Sequence, residues 1–191
     1  MTVTVEKRDI DTVIVHGSLA GLLAGLVLGT TTVIASLILT GSASWPFRFA
    51  ASFVAGPDAL DPAFPLGAAL LLGSALHFGL AAVFGVVFVG LLALTYQLSA
   101  RRWLLILYGS LFGFGIWEID FLVAVPTFFP FLVGRIDVAT QLWNGVLSYL
   151  FIYGPVLAAY VIVVRPGVID DWRAVGPPAG TFAAPSREVR D

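Results

Sequence analysis

"VIVHGSLAGLLAGLVLGTTTVIASLIL", residues 13–39, is a run of 27 residues without one charged side chain. A helix needs about 20 apolar residues to cross a hydrocarbon core about 30 Å thick, so this run is long enough to span a bilayer. It is also longer than the roughly 7–15 apolar residues of a signal peptide, and it reads as an uncleaved first span. Gly17, Gly21, Gly25 and Gly29 recur within it at every fourth residue. Steps of four drift by only about 40° around a helix, so the four glycines form one flat groove. In lipid, where no hydrophobic force drives helices together, close approach along such a groove is a main source of association energy. Gly109 and Gly113 repeat the spacing further on. Packing within the chain is the expected use of both stripes.

Three further apolar runs follow, Leu66–Leu94, Trp103–Val125 and Leu142–Val164. The whole chain of 191 residues is 59% hydrophobic and 12% charged, with a mean hydropathy of +0.96. A soluble domain is about 45–50% apolar and about 25% charged. So few charges cannot cover a globular surface in water, and lipid must be the solvent over most of the molecule. Backbone groups in lipid are satisfied within a segment, so the runs should be helices. The expected fold is all-α, a polytopic membrane protein with four transmembrane helices in an up-down bundle. The net charge of −2 shows no basic excess, which argues against nucleic acid as a partner. With no cysteine, disulfides, thiolate metal sites and cysteine nucleophiles are excluded.

Lys7, Arg8, Arg101, Arg102, Arg165, Arg173, Arg187 and Arg190 fall on one side of such a bundle, against Arg48 and Arg135 on the other. The positive-inside rule then places both termini in the cytoplasm. Trp45, Trp103 and Trp143 stand at span ends, where amphipathic rings settle among headgroups. The chain divides into a cytoplasmic tail at 1–12, a transmembrane domain at 13–167 and a flexible Pro- and Gly-rich cytoplasmic tail at 168–191. "GSLAG" at 17–21 and "GSLFG" at 109–113 hint at duplicated hairpins. In the first outer loop, Phe47, Ala50, Ala51 and Val54 recur at helical spacing near residues 46–55, the pattern of a short outer interfacial helix. Gly56-Pro57-Asp58 closes it with a turn. Pro126 should end the third helix, because proline disfavours helical geometry in the residue before it.

"GIWEIDF", residues 115–121, sets two carboxylates inside the third run. At about 1.5 Å per residue from Trp103, Glu118 lies roughly 22 Å into the membrane and Asp120 a little further. At 100° per residue Asp120 falls on the stripe of Gly109 and Gly113, whereas Glu118 points almost opposite, among Leu107, Leu111 and Phe114. The pair does not converge on one point. A charged carboxylate at helix centre costs about 2.5–3.5 kcal/mol on insertion scales, so Glu118 should be protonated or partnered. His77, Asn144, Ser148 and the threonines at 30–32, Thr31 among them, lie at similar depth. The expectation is an intramembrane polar cluster of Glu118, His77, Asn144, Ser148, Asp120 and Thr31. Glu118 would be buried against His77 or against Ser148 and Asn144, and Asp120 would be wetter.

His16 and His77 lie at different depths and the only methionine is Met1, so two axial ligands for one haem iron do not meet. No dinucleotide, phosphate-loop or zinc-protease motif is present. No cofactor, metal or catalytic residue is expected, and the chain is not expected to be an enzyme. "PFRFAASFVAGPDALDP", "LHFGLAAVFGVVF" and "FGIWEIDFLVAVP" resemble a group of uncharacterised bacterial four-helix integral membrane proteins over roughly residues 17–160. Where that pattern has an asparagine this chain has Asp120, which suits a hydrogen-bonding role. The resemblance implies an inner-membrane protein and supplies no activity. The expected role is a non-catalytic membrane protein that self-associates into a homo-oligomer or serves as an accessory or structural subunit of a larger membrane complex. The alternative is a small proton- or ion-coupled carrier or channel that uses the polar cluster.

Overall fold

The computed structural model describes residues 7–94, 102–135 and 142–164; helices carry nearly all of these, and among them there is no strand. α1 runs Lys7–Thr40, α2 Trp45–Ala55 and α3 Leu66–Leu94. α4 covers Arg102–Phe128. α5 is built from Leu142–Leu147, Tyr149–Tyr153 and Gly154–Val164. Short 3₁₀ turns at Pro57–Leu60 and Pro130–Leu132 complete the loop end, opposite the chain termini. α1, α3, α4 and α5 are each long and apolar enough to cross a membrane. Their outward faces are apolar too: Ile38 is 76% exposed, and Leu71 and Val163 nearly as much. Helices that are hydrophobic all round belong in lipid or in a large core. The tail at 168–191, the first six residues, the segment 95–101 and the side chains of Trp143 and Asn144 lie outside the described residues.

Two helix pairs form the scaffold, and glycine makes both. A Cβ at Gly17 or Gly21 would run into the backbone of α3 at Val86 or Ala81, and one at Gly25 or Gly29 would press on Ala81 or His77. As α1 ascends from Gly17 to Gly29 its neighbours on α3 descend from Val86 to His77, so the two run antiparallel. In the second pair, Gly109 and Gly113 of α4 lie against the backbone of Gly154 and Tyr149 of α5. The pairs meet in one core that includes Leu28, Phe88, Leu92, Leu105, Ile116, Tyr153 and Leu157. Phe88 of α3 packs on the Tyr108 and Phe112 rings of α4, with centroids 5.7 and 5.2 Å apart.

At the loop end α2 fills the space between α3 and α4. Its Phe47 carbonyl rests on Gly73 of α3, and its Phe49 ring lies parallel to Phe121 of α4 at 6.2 Å. Ala51 and Ser52 form the buried face, while Val54 is 60% exposed. The Ser52 hydroxyl can be buried because it donates to the Phe49 carbonyl, 2.7 Å away. Gly56, at φ 77°, takes the chain out of the helix in a conformation that L side chains rarely adopt. Arg48 then holds the following loop, donating to the carbonyls of Asp61, Phe64 and Pro62 at 2.7, 2.9 and 3.3 Å.

Pro126 does not end α4, which continues to Phe128. The chain absorbs the proline by widening its turns over Glu118–Ala124, so that the Val125 N–H reaches back five residues to the Asp120 carbonyl. Pro155 has the same effect in α5: Tyr149–Tyr153 widens and the Gly154 N–H reaches the Tyr149 carbonyl. Proline removes one N–H and its ring collides with the carbonyl four residues back, so a five-residue register just before it relieves the clash.

Candidate functional site

The polar groups expected to gather in one cluster are distributed instead over separate interfaces. Thr31 spends its hydroxyl on its own helix, 3.0 Å from the Val27 carbonyl and 2.8 Å from that of Leu28. His77 sits in the α1 groove, with Nε2 2.8 Å from the Gly25 carbonyl. A carbonyl only accepts, so Nε2 carries the hydrogen. Tyr153 donates to the Ala81 carbonyl at 3.2 Å and ties α5 to α3. Ser148 is fully buried in α5. His16 meets the Tyr160 hydroxyl at 3.2 Å near the termini end of the bundle, far along α1 from His77's partner Gly25. The bonds of His77, Tyr153 and His16 join helices, and they use the polar atoms in doing so.

The two carboxylates are placed opposite to expectation. Asp120 is half-buried, on the helix face that the glycine stripe turns towards α5. Glu118 is exposed and has no hydrogen-bond or ion-pair partner among the described residues. Leu107, Leu111 and Leu122, at 47%, 58% and 60% exposure, flank it along one helix face. The cause is the glycine stripe: Gly109 and Gly113 turn one side of α4 onto α5, and Glu118 is about 180° from Gly109 around the helix. The extra length of α4 also moves Glu118 inward. The midpoint of Arg102–Phe128 is Gly115, so Glu118 lies only about 4.5 Å from the centre of the helix. A carboxylate thus stands alone at mid-helix on an outward apolar face.

Sequence reasoning passed over Trp117. Its indole lies against Gly145 of α5, where a Cβ would collide with it, and its buried Nε1 meets no acceptor among the described residues. Trp117 also belongs to a train of rings, Phe114–Trp117–Phe121–Phe49–Trp45, with successive centroids 5.8, 6.2, 6.2 and 5.2 Å apart. The spacing of 114, 117 and 121 was the available signal, since residues three and four apart share a helix face. These rings brace α2 on the same stretch of α4 that carries Glu118 and Asp120. No group of three His, Asp or Glu side chains with metal-binding geometry occurs among the described residues.

By length and composition these four helices are those of a helical membrane protein. The chain matches no family model, no curated protein and no solved structure.

Proposed function

We propose that this chain is a non-catalytic subunit of the bacterial cytoplasmic membrane, crossing it up-down-up-down with both termini inside, and that it docks laterally onto a larger membrane complex through α4. The observation that supports this reading is Glu118, exposed at mid-helix among Leu107, Leu111 and Leu122. A carboxylate facing hydrocarbon costs about 2.5–3.5 kcal/mol on insertion scales. A polar or basic group on a partner's helix removes that cost. A twofold dimer through the same face would set Glu118 against Glu118, and one of two adjacent carboxylates would then have to take up a proton. A different protein suits the face better than a second copy. The carrier reading has less support, because His77 and Tyr153 are already engaged with helix carbonyls.

Mass measurement on complexes extracted from native membranes tests the proposal. The wild-type chain should run within a larger assembly, and Glu118→Leu should run at its own mass with unchanged helicity. Two differently tagged copies should not co-purify. A wild-type chain found only as a monomer would overturn the docking reading, and co-purifying copies would replace the accessory subunit with a homo-oligomer.

A further inference from the structure

A second site lies at the loop end. Trp45 and Phe49 of α2, Leu60, Leu132 and Arg135 enclose an open cavity of about 280 Å³. The Trp45 and Phe49 rings are stacked at 5.2 Å with planes 13° apart, which gives the cavity a flat apolar wall. Leu132 is buried beneath it. Arg135 is its one charged lining residue, and the guanidinium meets no hydrogen-bond or ion-pair partner among the described residues. The other arginine of this end, Arg48, is already engaged with three carbonyls. The cavity's lining residues come from the segments that follow the ends of α1 at Thr40 and α4 at Phe128. In a bilayer spanned by these helices that is the level of the headgroups, where aromatic rings collect.

We infer that this cavity binds the headgroup of an anionic phospholipid from the surrounding bilayer. The Arg135 guanidinium takes the phosphate in a charge-assisted pair of hydrogen bonds, a geometry that its planar fork suits. Trp45 and Phe49 cover the glycerol and the first methylenes of the chains. At about 30 Å³ per water in the liquid, the volume equals about nine waters. That is room for a phosphate and a glycerol, while the acyl chains run out over the apolar flank of the helices. Among the described residues no carboxylate lines the cavity to repel the phosphate.

The test uses the full chain in vesicles of equal phosphatidylglycerol and phosphatidylcholine, released into the mass spectrometer with its retained lipids. The wild type should keep one phosphatidylglycerol in preference to phosphatidylcholine by about tenfold, the worth of one charge-assisted contact. Arg135→Gln should lose the preference and Arg135→Lys should keep part of it. Arg102→Gln, at the opposite end of α4, should leave it intact. Trp45→Ala should weaken retention of both lipids. Millimolar inorganic phosphate should not displace the lipid, since it has nothing to set against the aromatic wall. An unchanged preference in Arg135→Gln, its loss in Arg102→Gln, or displacement by inorganic phosphate would each overturn the assignment. Arg135 is exposed, so the variant should fold with wild-type helicity.

Discussion

Glu118 and His77 show how one membrane bundle treats two ionisable groups differently. His77 is held in a groove by the Gly25 carbonyl, and hydrogen bonds between membrane helices are worth about 0.6 kcal/mol on average and up to about 1.7. His77→Leu should therefore cost about 0.5–2 kcal/mol in detergent unfolding, with no change in fold. Glu118 has no such compensation among the described residues. Glu118→Leu should leave the unfolding stability of the isolated chain unchanged or slightly raised, because the carboxyl is exposed in the folded helix, while weakening its assembly in the membrane. A loss of stability in the isolated chain would mean that Glu118 has an intramolecular role. The angular position of Glu118 was legible in "GIWEIDF": it lies opposite the glycines. Its burial was not, because which face of a helix meets a neighbour depends on how many neighbours there are. With α5 on the glycine side, no hydrogen-bonding or ionic partner among the described residues reaches Glu118 on the other.

At the scale of elements, glycine positions decide packing where the backbone of another helix is in contact. A Cβ on Gly21 would meet the Ala81 carbonyl, whereas one on Gly79 would meet open space. Gly21→Ala should cost about 1–3 kcal/mol through overpacking. Gly79→Ala should be neutral or stabilising by about 0.5–1 kcal/mol, through lower chain entropy. Chemical unfolding of both variants side by side checks the contrast, and equal effects would refute the packing account. Arg48→Ala should speed amide exchange in the loop at 61–64 while leaving that of α3 unchanged, because its three bonds end on that loop. The α1 stripe and the short helix near 46–55 were legible because both rest on local periodicity. The continuation of α4 past Pro126 was not. A proline in a long apolar helix can be absorbed by a wider turn when a neighbour holds the segment, here α5 and the Phe49 ring, and that support is tertiary.

For the whole molecule, the proposed assembly needs four crossings and a lateral partner at α4. Impermeant labelling of cysteines placed at Ser99 and Asp137 in intact cells should modify only the second, since the basic residues gather on the side of Ser99. The most direct measurement of the central claim is photo-crosslinking in native membranes from three exposed positions, Leu111, Leu122 and Ile38. The docking account predicts that Leu111 and Leu122 capture one and the same protein, different from this chain, and that Ile38 captures lipid alone. It also predicts that Glu118→Leu abolishes capture from both α4 positions. Lipid adducts alone at Leu111 and Leu122, or capture that persists without the carboxylate, would contradict it.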